Sequence, residues 1–207
     1  MDPVLFLAFL TATLLIVVTP GPSVALASAQ AIRFGPRAAL TTVAGDALGS
    51  VVHILIAVGS LKTLIALSGV ILPWLQMAGG AFILWLALQS WRETRIPAPD
   101  LPPLRKRATF ATGFFACVTN PKAIVFFVAL FPGFISTEHS ITVQSLVYGV
   151  IFVTLDAAFI LGYALLAMHA VRTSMAQKIR IEHLSAVGLC AVGILMLIRG
   201  YRALGAA

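Results

Sequence analysis

Charge is what this chain has least of. Only 10% of its residues are charged, seven acidic against fourteen basic, while 60% are hydrophobic and the mean hydropathy is +1.02. A water-soluble surface cannot be assembled from that supply, so the chain reads as an integral membrane protein and not as an enzyme or a soluble binding module. The net charge of +7 does not signal nucleic acid, because the basic residues fall in short stretches between apolar runs, where they report topology. Cysteine is equally scarce. Cys117 and Cys190 lie far apart in apolar runs, so neither a disulfide framework nor a metal site is indicated. No cofactor is expected.

Long apolar runs fill the space that charge leaves. Six segments approach the roughly 20 residues needed to cross the hydrocarbon of a bilayer: Val4 to Ala31, Ala38 to Ser60, Pro73 to about Gln89, Phe110 to about Phe131, Ser145 to about His169, and Leu184 to Ile198. Leu61 to Leu72 reads as a short loop carrying Lys62, and Trp74 and Trp91 bracket the third segment as interface anchors. Arg92 to Ala108, with four prolines and the run Arg105-Lys106-Arg107, is the one clear polar linker. It divides the chain into residues 1–91, a linker 92–108, and residues 109–207, each half with three segments. Met1-Asp2-Pro3 offers no basic leader region, so the first segment itself is expected to direct insertion.

Two of these runs are interrupted in the same way. Within Thr119-Asn120-Pro121-Lys122-Ala123, proline stops an arriving helix near Asn120, and a new one can begin with Asn120 as N-cap and Pro121 at its first position. In Thr19-Pro20-Gly21-Pro22, Gly21 and Pro22 can play the same parts. The first N–H groups after each break lack intrahelical partners and sit at the positive end of a half-helix, a place for an anion. Irregular backbone at membrane depth is tolerated where it lines a cavity, and one broken segment per half is the pattern of inverted-repeat transporters. The expected fold is therefore all-α, six transmembrane helices in two inverted three-helix repeats. Arg33, Arg37, Arg92, Arg95, Arg105, Lys106, Arg107, Arg172, Lys178 and Arg180 fall on one side of that arrangement, against Lys62, Arg199 and Arg202 on the other. Both termini are then expected outside the cytoplasm.

Ionisable residues inside the segments each cost at least ~2.5 kcal/mol at the bilayer centre and mark function by default. Asp46, Lys122 and Asp156 lie well within apolar runs, with His53 deeper than a loop residue. Asp46, Ser50 and His53 share one helical stripe, and Asp156 and Tyr163 another. Either aspartate could bind a cation or proton, or simply neutralise Lys122. His53 reads first as an interhelical hydrogen-bonding residue and second as a proton relay. Lys122 could snorkel or join an anion site. Gly45 and Gly49 suit close helix packing, and this glycine-rich span makes a homodimer plausible. Phe126, Phe127 and Phe131 read as packing or lipid-facing.

Taken together these residues resemble the LysE-type amino-acid exporter family, in its homoserine/threonine (RhtB-like) branch. The resemblance rests on Thr19-Pro20-Gly21-Pro22, the basic turn Arg33-Phe34-Gly35-Pro36-Arg37, Gly45, Gly49 and His53, the stretch Ala78 to Leu86, Thr119 to Ile124 followed by Leu130-Phe131-Pro132, and Asp156 with Gly162-Tyr163. Asp46, Phe82 and Ala87 depart from the family pattern. The resemblance implies export of amino acids or close derivatives from a bacterial cytoplasm, across the inner membrane, by proton antiport. On this reading substrate contacts come from Pro20, Gly21, Pro22, Ser23, Asn120, Pro121, Lys122 and Tyr163, and proton coupling from Asp156, Asp46 and His53. Partners are the amino acid, protons and lipid, without nucleic acid. A divalent-metal exporter and a membrane thiol redox carrier are the alternatives.

Overall fold

The structure, a computed structural model, describes residues 1–66, 71–93 and 109–172, together with residues 190, 194, 197, 198, 201, 202 and 204. Most of the described residues are helical, and they contain no strand. Helix α1 (Pro3–Val18) opens with Asp2 as N-cap, its carboxylate accepting from the N–H groups of Val4 (2.7 Å) and Leu5 (3.2 Å). Helix α2 (Pro22–Phe34) follows after the Thr19 to Gly21 break, and the two halves are bent by 47°. Gly35 ends α2 at φ +85°, donating its N–H to Ala31 O. Only glycine adopts that left-handed geometry readily.

Helix α3 (Pro36–Ala66) and helix α4 (Ile71–Glu93) correct the expected loop of Leu61 to Leu72. Leu61 to Ala66 continue the helix, since nothing in that stretch breaks it, and Arg92 likewise belongs to α4 and not to the linker. Helix α5 (Thr109–Val118) meets α6 (Pro121–Val125) at the second expected break, bent by 48°. The chain then passes through a π-helical turn, Phe126–Leu130, and a 3₁₀ turn, Phe131–Phe134. Pro132 has no N–H for the Val128 carbonyl, and Phe131 N–H reaches back to Phe126 O, five residues away. Helix α7 (Ile141–Arg172) completes the described helices.

Among the described residues, Pro36–Ser60 and Ile141–Val171 are each long and apolar enough to cross a membrane, and each bent pair, taken together, is apolar and long enough for a broken span or a re-entrant loop. These match the expected segments one, two, four and five, and α4 occupies the third. The sixth segment lies almost wholly outside the described residues. Leu40, Leu48, Val51 and Leu55 are exposed on α3, while Asp46, Ser50 and His53 on the other side of the helix are buried. Polar inside and apolar outside is the arrangement of a membrane-embedded chain.

The closest helix contact is between α3 and α5. A Cβ on Gly45 would collide with the Phe110 carbonyl, one on Gly113 with the Thr42 carbonyl, and one on Gly49 would lie 2.7 Å from Cys117 Cβ. The glycine face of α3 is therefore spent within the chain, so it gives no support to a homodimer. Gly113→Ala is expected to lower the detergent melting temperature, because overpacking of this kind typically costs about 1–3 kcal/mol or more. Gly59→Ala, where nothing lies within 4 Å of the added Cβ, is the control. Equal melting of the two variants would contradict this packing.

Candidate functional site

The two helix breaks are closed by side chains from elsewhere in the chain. In a continuous helix the carbonyls of Ile16 and Val18 would accept from residues 20 and 22, but both are prolines and have no N–H. Lys122 Nζ donates to Ile16 O (2.9 Å) and Thr19 O (2.7 Å), and Tyr163 OH donates to Val18 O (2.6 Å). A cation thus sits at the negative end of α1, where a helix dipole favours it. The second break repeats the arrangement. Asn120 Oδ1 takes the Lys122 N–H (3.0 Å), and the Val118 carbonyl that this N–H would have served accepts instead from His53 Nε2 (3.3 Å). Asn120 is the N-cap foreseen from the sequence, and Gly21 caps α2 without a side-chain bond. Ser23 and Val24, in the first turn of α2, line the cavity between the breaks.

Between the breaks lies a small polar cavity. Gly21, Ser23, Asp46, Asn120, Lys122 and Asp156 contribute its polar wall, and Ile16, Cys117, Phe126, Phe152 and Ile160 are among its other lining residues. Ser23 and Asp156 lie beside the Asp46 carboxyl, and Ser50 beside the Asp156 carboxyl. Asp46 Oδ1 is buried without a hydrogen-bond partner. Both carboxyls lie within electrostatic reach of Lys122, Asp156 the more strongly. Ser50 Oγ and Cys117 Sγ are 3.4 Å apart. The enclosed space is only ≈ 20 Å³, room for about one water molecule.

Apolar clusters close the cavity on two sides. One is aromatic: Phe9 stacks on Tyr148 with ring centroids 4.3 Å apart, and Phe126 packs with Phe127 and Phe152. The other is built of smaller side chains, Ala27, Ala31, Ala39, Val43, Ile160 and Ala164. Reading along α7, Tyr148 and Phe152 belong to the first, Asp156 faces the cavity, and Ile160 and Ala164 belong to the second. The same order holds on α3, from Ala57 through Asp46 to Val43 and Ala39.

The structure thus gathers Gly21, Ser23, Asn120, Lys122, Asp46 and Asp156 at one place. Pro22 and Pro121 are exposed, and Pro20 does not line the cavity; these prolines shape the breaks without facing it. His53 and Tyr163 also stand outside, each engaged with a carbonyl at a break. Cys117, Phe126 and Phe152 line the cavity although sequence reasoning gave them no part. Phe126, Phe127 and Phe131 are wholly buried packing residues and not lipid-facing. Phe152 could have been found from Asp156, which it precedes by one helical turn. Cys117 stands one turn before Asn120.

Comparison with known proteins identifies the relatives of this chain. A family model described as LysE type translocator matches residues 14–200. A homoserine/homoserine lactone efflux protein of Salmonella typhimurium is 34% identical over 164 residues, 77% of this chain and 79% of that one. An uncharacterized membrane protein of Vibrio cholerae is 32% identical over 81% of this chain and 82% of its own length. A cysteine/O-acetylserine efflux protein of Salmonella choleraesuis is 35% identical over 61% of this chain and 63% of its own. No solved structure matches. With paired helix breaks, a polar cavity between them and a family match across nearly its whole length, the chain belongs to the LysE-type translocators.

Proposed function

We propose that this protein is a secondary transporter that exports amino acids or close derivatives from a bacterial cytoplasm across the inner membrane by proton antiport. The observation that carries the reading is the closed polar cavity, with two carboxyls and one lysine between apolar clusters on opposite sides. Access alternates: parting one cluster opens the cavity to one face of the membrane while the other stays shut. Efflux of homoserine or of cysteine and O-acetylserine, named for the relatives, gives the substrate class. The full chain is six spans in two inverted repeats, residues 1–93 and 109–207 joined by 94–108, with both termini outside the cytoplasm.

The substrate carboxylate takes the N–H groups at the start of α2, since the start of α6 already carries Asn120 as its cap. The ammonium goes to Asp156. Lys122 offsets one of the two carboxyls, so the remaining negative charge is satisfied by a proton or by the ammonium, and not by both at once. That exclusion couples proton entry to substrate exit. Metal export finds less support, because no group of three or more His, Cys, Asp or Glu able to hold an ion occurs among the described residues. For a thiol carrier, Cys117 and Cys190 are free thiols.

The test is uptake of a labelled amino-acid panel into everted membrane vesicles, with and without a pH gradient. Gradient-dependent uptake of one class of small polar amino acid is expected. Uptake of none, from vesicles shown to contain the protein, would refute the reading.

A further inference from the structure

Six hydroxyl groups on these helices share one arrangement. Thr11, Thr19, Thr41, Thr42, Ser60 and Thr119 each donate to the carbonyl four residues back, the ordinary solution for such a side chain in an apolar helix. Thr13 and Ser145 do not; both are buried, 0% and 3% exposed, and their hydroxyls have no hydrogen-bond partner. Tyr148 OH is likewise unpartnered, and so are both the oxygen and the nitrogen of the Gln30 amide, in a side chain that is 0% exposed. Buried polar groups are almost always paired, and more strictly so where no solvent is at hand.

The positions of these groups are not scattered. Ser145 and Tyr148 share the face of α7 that carries Phe152 and, beyond it, Asp156 at the cavity. Thr13 is one turn from Phe9, whose ring stacks on Tyr148. All three belong to the aromatic side. Gln30 is two turns along α2 from Ser23 and on the same face, between Ala27 and Ala31 of the small-side-chain cluster on the opposite side of the cavity.

We infer that Gln30 on one side, and Thr13, Ser145 and Tyr148 on the other, are polar stations of the translocation path, unpaired here because the path is shut at both ends. The inference rests on the transport reading of the cavity. Each station offers both a donor and an acceptor, which suits the carboxylate and ammonium of a zwitterionic amino acid. Parting α2 from α3 and α7 brings Gln30 to the face bearing the Gly35 turn. Parting Phe9 from Tyr148 brings the three hydroxyls to the other.

Sided cysteine labelling tests this. Gln30→Cys, Thr13→Cys and Ser145→Cys are made singly in a chain whose native Cys117 and Cys190 are alanine, and a membrane-impermeant thiosulfonate is applied to right-side-out and to everted vesicles. Gln30→Cys is expected to react from one face only, and Thr13→Cys and Ser145→Cys only from the other. Ala29→Cys, also buried but a quarter-turn round α2 from Gln30 and in neither apolar cluster, should stay unlabelled. Labelling of all three stations from one face, or no more than in this control, would overturn the inference. As a second measure, Thr13→Val should leave the melting temperature unchanged and slow uptake; a lower melting temperature with normal uptake would mean that Thr13 only packs. Labelling needs no substrate. Sided labelling in a protein that moves no amino acid would therefore sink the substrate assignment alone, and unsided labelling in one that does would sink the path alone.

Discussion

Asp156→Asn is expected to abolish uptake driven by a pH gradient in everted vesicles while leaving exchange of labelled for unlabelled substrate measurable. Asparagine keeps the size and hydrogen-bonding capacity of the side chain but can neither take up a proton nor pair with an ammonium as a charge. A hydrogen bond to a charged group contributes roughly 1.5–3 kcal/mol, so gradient-driven transport should fall by at least about tenfold. Exchange needs no net proton movement, only binding on each side in turn. Gradient-driven uptake at the wild-type level in this variant would remove Asp156 from the coupling step. Asp46→Asn is the informative companion, because Asp46 lies beside Asp156 in the same cavity. If Asp46 serves mainly to balance Lys122, coupling should survive its replacement.

Replacing Lys122 with methionine should have the larger effect on the molecule as a whole. The ammonium is the donor to two carbonyls at the end of α1 and the positive charge facing Asp46 and Asp156. Removing one member of a buried charged set typically destabilises by about 3–5 kcal/mol, because the partners stay buried. Lys122→Met should therefore lower both the melting temperature and the yield of folded protein, and what folds should not transport. Combining it with Asp156→Asn should recover part of the stability and none of the transport. If the double variant is no more stable than Lys122→Met alone, the charges are not coupled as described. Tyr163→Phe removes a single neutral donor, from Val18 O, and should lose only about 1 kcal/mol.

Much of this was legible before any coordinates. Proline has no N–H whatever its surroundings, so the breaks at Pro20 to Pro22 and at Pro121 follow from local chemistry, as does the cap at Asn120. The stripe of Asp46 and Ser50 follows from helical periodicity. What closes the breaks did not follow, because it depends on which helices become neighbours. The prolines do predict that Ile16 O and Val18 O need outside donors, but nothing local says that Lys122 and Tyr163 supply them. Lys122 read as a possible anion contact for that reason, when its ammonium is engaged with carbonyls. The glycines of α3 carried the same ambiguity: small residues announce a close contact without naming the partner, and the partner is α5. The aromatic cluster escaped because phenylalanine in an apolar run faces lipid or core with equal ease.

The bond from Lys122 to Thr19 spans 103 residues, and that separation is also an interval of time. At synthesis rates of about 5–20 residues per second, the first helix pair leaves the ribosome roughly 5–20 s before the lysine that completes it. Through that interval the carbonyls of Ile16 and Thr19 lack the donor they have in the finished protein. A nascent chain ending before Lys122 cannot settle its own first bend, so the final shape of the amino-terminal half is decided only once the second half has begun to insert.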